Sequence, residues 1–372
     1  MQLEDFHLER YFAEHEFAAK YLLSCSDCDG LPLRELLAHA TNEERHEWEN
    51  IHLGYTESQG MPELRERIAG FYESTHPDQV VVASPGELNF SLMNLLLGPG
   101  DHCISVSPCY QSLAEVARSA GASLSFWEPD PLNWQFNVED LENLIQDNTK
   151  LLVINFPHNP TGAYLTESEL REVVEFARRH DLYLFSDEMY YRLQVGESPA
   201  LSPVSDLYEK GISLWGTSKS FGLAGLRIGW LVSKNQELIE QVVSFKDYLS
   251  ICNAPTNETL ARVALGQADR LIQMNIEKIQ KNIQLFSDYA KDSDLIDRFI
   301  PPAAGSTAFV KLNISGSAKS FSDELVTKHG IMTVPAEMFG FDGPYIRLGF
   351  GRRNFPQGLE QLKKLEGPRL SS

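Results

Sequence analysis

The residues around Lys219, in segment 218–229, suit a lysine that acts as a nucleophile. Lys219 follows Ser218 and precedes a glycine-spaced apolar turn that ends at Arg227. An amine is nucleophilic near neutral pH when burial lowers its pKa, and glycines let the backbone approach a bulky ligand. The planar guanidinium of Arg227 suits a phosphate group. The pattern favours a Schiff-base lysine beside a phosphate, although a surface lysine before a glycine-rich turn is a common alternative.

Two more polar residues, Asn159 and Asp187, follow predicted strands, as Lys219 does. Open α/β sheets bind ligands at the carboxyl ends of their strands, and the spacing between these residues is about 30 positions, the size of a βαβ unit. Each residue alone has a structural explanation, as a turn or a helix cap, but three in register predict one site at one sheet edge. The strand-end residues are Asn159 after 151–156, Asp187 after 183–185 and Lys219 after 212–215.

The central part of the chain alternates apolar strands with amphipathic helices. Such alternation predicts a mostly parallel sheet that is covered on both faces. A strand, a glycine-containing turn and a helix N-terminus around Gly86 also form a place where an anion could bind. We predict strands at 80–83, 104–106, 124–127, 151–156, 183–185 and 212–215, and helices from 87 through 97 and at 112–120, 138–145 and 167–179.

The two ends of the chain have a different pattern. The N-terminal residues from Glu4 to about Leu23 read as one helix, with its apolar residues, Phe17 among them, on one side. After Pro255, long helices precede isolated strands, which indicates an α+β unit. We therefore predict a large domain of residues 45–254 and a small domain of 1–44 plus 255–372. The further elements predicted are helices at 33–39, 64–72, 258–271 and 274–289, a polar loop at 53–62, and strands at 308–312 and 345–350.

Composition excludes several classes of protein. The chain has 372 residues and a formal net charge of −20, which disfavours a nucleic-acid partner. The N-terminus lacks the features of a signal peptide, and no apolar run is long enough to span a membrane. Five cysteines fit reduced thiols better than a disulfide framework, and Cys25 and Cys28 lack a second ligand pair for zinc. We expect a cytoplasmic protein without a metal.

Four motifs together resemble one family. They are Asn-Pro-Thr-Gly at 159–162, Asp-x-x-Tyr at 187–190, Ser-Lys-x-x-Gly-Leu-x-Gly-Leu-Arg-x-Gly at 218–229, and Tyr-Ile-Arg-Leu-Gly-Phe at 345–350. In this order they resemble the fold-type-I enzymes that use pyridoxal 5'-phosphate (PLP), in particular the class I/II aminotransferases, from about residue 53 to 351. The resemblance implies an α/β fold of the PLP-dependent transferase type I, with a smaller α+β domain.

The resemblance also implies catalytic roles. Lys219 would form the internal aldimine and then move the proton at the substrate Cα. Asp187 would pair with the pyridinium nitrogen and keep the ring able to accept electrons. Asn159 and Tyr190 would hydrogen-bond the ring hydroxylate, and Arg347 would hold the substrate α-carboxylate, with Asn159 beside it.

The remaining roles concern the cofactor ring and phosphate. Tyr110 would stack on the ring. Tyr55 would reach the phosphate from the neighbouring subunit, which implies a homodimer with shared sites. The chain departs from the family at Pro85, which has no N–H to donate, and at Gly86 and Gly216, where hydroxyl residues are usual. We therefore assign the phosphate to the amides of Gly86 and Glu87 and to Ser218, Arg227 and Tyr55.

Three reactions remain open, because the fold alone does not fix the chemistry. Transamination of a free L-amino acid, through an external aldimine and Cα deprotonation, is the commonest activity in the family. Segments 107–113, 156–162 and 245–249 resemble capreomycidine synthase-like cyclases, which dehydrate a hydroxyarginine and close a cyclic guanidine; enduracididine-type chemistry would suit the same site. A non-catalytic PLP-fold regulator would need a DNA-binding domain, and residues before 53 are too few and too acidic for one.

Overall fold

A seven-stranded sheet carries the strand ends that the sequence singles out. The computed structural model describes residues 2–366. Within them the strands are β1 (Tyr21–Leu22), β2 (Val80–Ala83), β3 (His102–Val106), β4 (Ser123–Trp127), β5 (Thr149–Ile154), β6 (Tyr183–Asp187), β7 (Gly211–Gly216), β8 (Gly229–Ser233), β9 (Ile296–Phe299), β10 (Thr307–Leu312), β11 (Ile331–Met332), β12 (Val334–Pro335) and β13 (Tyr345–Gly349).

The helices alternate with the strands of the large sheet and then dominate the C-terminal part. In the same residues they are α1 (His7–His15), α2 (Leu33–Leu37), α3 (Asn42–Glu49), α4 (Pro62–Ala69), α5 (Pro85–Leu96), α6 (Ser112–Ala120), α7 (Glu167–Arg179), α8 (Val204–Leu207), α9 (Gln236–Lys246), α10 (Pro255–Leu265), α11 (Ala268–Asp292), α12 (Ala318–His329) and α13 (Phe355–Lys363). None of these helices is long and apolar enough to cross a membrane.

The large sheet has the strand order β2-β8-β7-β6-β5-β3-β4. Its neighbouring strands are parallel except β8, which is antiparallel to both β2 and β7. Apolar runs such as Val80–Ala83 are fully buried, as expected for strands with helices on both faces. The predicted α/β class and the mostly parallel sheet are confirmed.

Two smaller sheets bring the chain ends together. The antiparallel sheet β12-β13-β10-β9 lies in the C-terminal part, and β1 pairs in parallel with β11. The amide of Gly349 donates to the carbonyl of Leu23 at 2.8 Å. A Cβ at Gly349 would overlap the backbone carbonyl of Cys25, so only glycine allows this approach. Residues 23–27 therefore lie against the end of β13. The assignment of residues 45–254 and of 1–44 plus 255–372 to two domains stays a prediction, and residues 1 and 367–372 are outside the described range.

The prediction of one helix from Glu4 to about Leu23 is wrong. Helix α1 ends at His15, and the Phe17 side chain is 93% exposed. The chain then enters β1, where the amide of Tyr21 donates to Gly330 and that of Leu23 donates to Met332. These pairings are with residues more than 300 positions away, so tertiary contacts decide the local structure.

Other boundaries also differ from the prediction. The first long C-terminal helix ends at Leu265, before Gly266, instead of at Leu271. Residues Val138–Asn143 form a 3-10 helix instead of an α-helix. Helix α3 was not predicted, although its capping box, in which Thr41 accepts from the Glu44 amide and Glu44 accepts from the Thr41 amide, is readable from sequence. Strand β8 was also not predicted.

Candidate active site

A cleft with a volume of about 530 Å³ opens at the carboxyl ends of β5, β6 and β7. Its other wall is formed by α1, by residues 26–27 and by the strand that carries Arg347. Two of the predicted site residues, Glu87 and Tyr55, do not line it. The predicted residues that do line it are Gly86, Tyr110, Asn159, Asp187, Tyr190, Ser218, Lys219, Arg227 and Arg347.

Lys219 lies in the tight turn that follows β7. The turn is held by Thr217, whose amide and hydroxyl both donate to the Ile228 carbonyl, at 3.0 and 2.9 Å. The Lys219 Nζ donates to the Ser26 Oγ at 2.7 Å. The amine therefore sits in the cleft with a hydroxyl from the opposite wall as its partner. Sequence reasoning missed Ser26, because 193 positions separate it from the lysine.

Asp187 ends β6 at the floor of the cleft. Its Oδ1 accepts from the Met189 amide at 3.1 Å. Removal from water raises the pKa of the Asp187 carboxyl to about 6, while the Met189 hydrogen bond and the Lys219 charge oppose the rise. The carboxylate is thus short of positive partners. A protonated ring nitrogen is the kind of group that would supply one.

Asn155 joins two of the strand ends. Its Nδ2 donates to the Asp187 carbonyl at 2.8 Å, and its Oδ1 accepts from the Asn159 amide at 2.9 Å. Asn155 also lines the cleft. The sequence signal for it was a polar residue directly after the apolar run of β5, which we overlooked.

Arg347 is a buried cation, with its side chain only 1% exposed. Its Nη1 donates to the Asn159 Oδ1 at 3.1 Å and its Nη2 donates to the Ser24 carbonyl at 2.8 Å. Its Nε has no hydrogen-bond partner among residues 2–366. Burial lowers the pKa of the guanidinium. The guanidinium carbon lies 5.2 Å from the ring centre of Phe339, a cation–π distance.

The opposite end of the cleft has the features of an anion site. Helix α5 begins there, with Ser84 as its cap, and a Cβ built at Gly86 meets nothing within 4 Å. The Ser218 Oγ is buried without a partner in the described part of the chain. Arg227 has a φ of +52°, an uncommon conformation for a residue with a Cβ. Among residues 2–366 its guanidinium donates only to the Ala224 carbonyl, at 3.3 Å.

Glu87 and Tyr55 lie outside the cleft. The Glu87 amide donates to the capping Ser84 Oγ at 3.3 Å, and its carboxylate accepts from the Ser250 hydroxyl at 2.6 Å. Tyr55 is 89% exposed, in a loop held by a hydrogen bond from Thr56 to the Asn253 carbonyl. Their predicted roles in phosphate binding stay predictions.

Tyr110 is covered by the N-terminal helix. Its hydroxyl donates to the Glu9 Oε1 at 2.7 Å, and its ring centre lies 4.9 Å from that of Phe6. Burial, and then the negative charge of Glu9, raise the pKa of the Tyr110 hydroxyl. The ring therefore forms part of one wall of the cleft, with α1 packed on it.

Three carboxylates of the N-terminal segments, which sequence reasoning missed, also line the cleft. They belong to Glu9, Glu16 and Asp27. Arg352 donates to both Asp27 oxygens, at 2.9 and 3.1 Å. Burial, and then the charge of Asp27, raise the pKa of Glu16. Nothing in the local sequence signals that these residues face the lysine.

The cleft fits a PLP cofactor in the chemistry of its side chains. The Tyr190 Oη, the Ser218 Oγ and the Arg347 Nε are all buried without hydrogen-bond partners in residues 2–366, and such groups are costly unless a ligand satisfies them. An amine and a buried carboxyl face the same space. No group of three or more His, Cys, Asp or Glu that could hold a metal occurs among the described residues.

Comparison with known proteins identifies the relatives of the chain. Residues 19–359 match the family model for aminotransferase class I and II. Capreomycidine synthase of Streptomyces vinaceus is 30% identical over 96% of this chain and 92% of its own length. An aspartate aminotransferase of Sulfolobus acidocaldarius is 29% identical over 80% and 78%. The crystal structure of a PLP-dependent aminotransferase from Streptococcus suis superposes with a TM-score of 0.93 at 29% identity, and 100% of each chain is covered.

We predict that Asp187→Asn stabilises the cofactor-free protein at high pH. The folded state raises the pKa of Asp187 from 3.8 to about 6, so it binds the proton more tightly than the unfolded chain. Ionisation of Asp187 therefore lowers the free energy of unfolding. The decrease grows between pH 4 and 6 and levels off at about 3 kcal/mol above pH 7. Denaturant unfolding should show that the stability gained by the variant over the wild type is about 2 kcal/mol larger at pH 8 than at pH 4.5. The exposed Asp147→Asn is the control, and a pH-independent gain from Asp187→Asn would contradict the prediction.

Proposed function

The chain belongs to the class I and II aminotransferase family, and from this premise we propose that it is a PLP-dependent aminotransferase of a free L-amino acid. The observation that carries the proposal is the convergence of Lys219, Asp187, Asn159 and Arg347 in one cleft. The resemblance to the PLP-dependent family noted in the sequence is confirmed by the family model. The named relatives are enzymes, which argues against a non-catalytic regulator.

Lys219 and Asp187 are proposed to do the central chemistry. When bound, PLP supplies an electron sink for the pair left at the substrate Cα. The Lys219 Nζ would bind the cofactor covalently and, once released, move the Cα proton. Asp187 would hold a proton on the ring nitrogen, because its desolvated carboxylate gains a cationic partner there. Its raised pKa in the cofactor-free chain supports this pairing.

Further residues are proposed to orient the cofactor ring and phosphate. Asn159 and Tyr190 would hydrogen-bond the ring oxygen, and the unpartnered, buried Tyr190 Oη supports that role. Tyr110 would pack on the ring face. The phosphate would bind at the N-terminus of α5, where first-turn amides and the helix dipole attract anions, and the Glu87 amide would exchange the Ser84 Oγ for a phosphate oxygen. The groups proposed to contact it are the amides of Gly86 and Glu87, Ser218, Arg227 and the Tyr55 of a second copy.

Arg347 is proposed to hold the substrate α-carboxylate. It is buried with an unpartnered Nε, and a carboxylate accepts two parallel hydrogen bonds from a guanidinium. Asn159 already accepts from Arg347 and would therefore lie beside the same carboxylate. Fixing the carboxylate and the amine of an amino acid leaves its Cα–H beside Lys219, which is the geometry that proton transfer requires.

A second candidate reaction is the dehydration and cyclisation of a hydroxyarginine. It is favoured by the similarity to capreomycidine synthase, which extends over 96% of this chain. In this reaction the proton leaves Cα in the same way, and a hydroxyl on the side chain takes up a proton and departs with its bonding electrons as water. A guanidino nitrogen then bonds to the carbon that the hydroxyl left and releases its N–H proton, while a proton returns to Cα. Capreomycidine- and enduracididine-type products would both fit the same first step.

We propose a homodimer in the cytoplasm. Loops 53–58 and 247–253 form one surface, joined by the hydrogen bond from Ser58 to Asp247 at 3.0 Å. Tyr55 and Tyr248 expose about nine-tenths of their side chains on it. Exposed large side chains grouped on neighbouring loops are typical of an interface, and these loops adjoin the start of α5 through the hydrogen bond from Ser250 to Glu87. The free cysteines support a reducing compartment.

Lys219→Ala should abolish the covalent linkage to PLP. Borohydride reduction followed by mass spectrometry of the peptide that contains residue 219 should show a PLP adduct in the wild type and none in the variant. Lys281→Ala changes an exposed lysine and should leave the adduct intact. An adduct that persists in the Lys219 variant would disprove the assignment.

The two reactions can be separated by omitting the keto acid acceptor. We expect an amino acid substrate to be converted to its keto acid once per subunit, with stoichiometric formation of the amino form of the cofactor. Arginine and hydroxyarginines should be included among the amino acids. Repeated turnover of a hydroxyarginine with loss of water, detected by mass spectrometry, would favour the cyclase over the aminotransferase.

The proposed role of Tyr55 predicts both a dimer and a loss of cofactor affinity. Sedimentation should give a species of two chains. Tyr55→Phe removes one hydrogen bond to a charged phosphate and should weaken PLP binding about tenfold, measured by equilibrium dialysis. Tyr248→Phe, equally exposed, is the control. A monomer, or unchanged PLP affinity in the Tyr55 variant, would refute the shared site.

A further inference from the structure

We propose that Glu9, Glu16 and Asp27 form a subsite for a positively charged substrate side chain, an ammonium or a guanidinium. We call these three residues the acidic subsite. The proposal rests on the proposed function, because it assumes that a free amino acid binds in the cleft with its carboxylate at Arg347. It adds the chemical class of the side chain, and it holds for either of the two reactions.

The three carboxylates converge from separate parts of the chain. Glu9 lies in α1, Glu16 immediately follows the end of this helix, and Asp27 follows β1. All three line the cleft that contains Lys219 and Arg347. Asp27 is the neighbour of Ser26, whose hydroxyl contacts the lysine amine. The acidic subsite is therefore beside the reacting centre and opposite the sheet.

The described residues neutralise these charges only in part. Arg352 pairs with Asp27. In the described part of the chain, Glu9 accepts one hydrogen bond from the neutral Tyr110 hydroxyl, and Glu16 has only a weak thiol contact, with the Cys25 Sγ at 3.9 Å. Within residues 2–366 neither Glu9 nor Glu16 has a Lys, Arg or His nitrogen within 4 Å. Burial, and then repulsion from Asp27, raise the pKa of Glu16, and a cation bound here would offset that repulsion.

An independent observation shows that the cleft is built for a ligand. The Arg347 Nε and the Tyr190 Oη are buried, with side chains 1% and 2% exposed, line the cleft and lack partners in the described chain. Buried polar groups of this kind are rare unless a ligand or water satisfies them. The ligand must therefore bring acceptors to the wall that holds Arg347.

The charges of the cleft are arranged in two groups. The basic residues that line it are Lys219, Arg227 and Arg347, and each already has a proposed partner in the cofactor or the α-carboxylate. No other Lys or Arg of residues 2–366 lines it, and the nearby Arg352 is already paired with Asp27, so a second substrate carboxylate would meet the acidic subsite without a free counter-charge. A cationic side chain would meet complementary charge. The acidic subsite thus selects arginine- or lysine-like substrates against aspartate and glutamate.

The test compares charged and neutral amino acids of nearly equal shape. L-Arginine and L-citrulline differ in one end group and in charge, as do L-lysine and L-norleucine. Binding to the PLP-loaded wild type is measured from the rapid change in cofactor absorbance. We expect arginine to bind at least about tenfold more tightly than citrulline, since one partly buried charged hydrogen bond is worth about that factor. Lysine should exceed norleucine in the same direction.

Variants assign the effect to the acidic subsite. Glu16→Gln should weaken arginine binding about tenfold and change citrulline binding less than about twofold; Glu9→Gln should act in the same direction. Glu14→Gln, in the same helix and 75% exposed, should change neither ligand. These substitutions keep shape and remove charge, so a loss of arginine binding alone cannot come from misfolding.

The outcomes separate this proposal from the proposed function. If arginine and citrulline bind equally well to the wild type, or if neither Glu16→Gln nor Glu9→Gln alters their ratio, the acidic subsite is disproved while the aminotransferase assignment stands. If no amino acid changes the cofactor absorbance, the proposed function fails and the acidic subsite fails with it. The wild-type comparison decides the question even if a variant does not fold.

Discussion

The cleft holds charged groups that are removed from water and have too few hydrogen-bond and ionic partners in the protein. Asp187 has its pKa raised to about 6 by desolvation, and Arg347 is buried with its Nε unpartnered. Each such group costs free energy that the rest of the fold must offset. A ligand that satisfies both groups removes that cost when it binds. The free energy by which the unsatisfied groups destabilise the fold therefore contributes to the affinity for the ligand. The site is therefore defined by the groups that it leaves unsatisfied.

Two separate frameworks hold these groups in position. The parallel strands β5, β6 and β7 fix Asn159, Asp187 and Lys219 at one sheet edge, and Asn155 locks the first two strand ends together. Across the cleft, β13 holds Arg347 against residues 23–27. The Ser306 hydroxyl donates to the Ser26 carbonyl at 2.6 Å, which fixes the segment that contacts the lysine. The close approach at Gly349 holds β13 and residues 23–27 together, and the hydrogen bonds from Lys219 to Ser26 and from Arg347 to Asn159 join this wall to the sheet edge.

The wall of the cleft at the sheet edge could be predicted from the sequence, whereas the assembly of the opposite wall from α1, residues 26–27 and β13 could not. Strand-end residues such as Asp187 and Lys219 were found because strand period, turn residues and βαβ spacing are local signals. The second wall depends on contacts between distant residues: Glu9 with Tyr110 is 101 positions apart, and Arg347 with the Ser24 carbonyl is 323 apart. No local pattern encodes such pairings. The same reason explains why the first helix was predicted to continue through Phe17, since only pairing with β11 shows where β1 begins.

The separation of the cleft into two walls bears on which reaction follows the removal of the Cα proton. In the proposed function, removal of the Cα proton needs Lys219, the strand-end residues and a bound carboxylate, and these belong to the sheet edge and to Arg347. The later steps depend on the groups beside the substrate side chain, because they decide whether a side-chain hydroxyl can leave and whether a nucleophile is held near it. In the proposed acidic subsite those groups are Glu9, Glu16 and Asp27, on α1 and the loops beside it. Changes there would alter the outcome without disturbing the strand ends that carry out the first step, which gives a physical reason why one fold can serve both aminotransferases and cyclases.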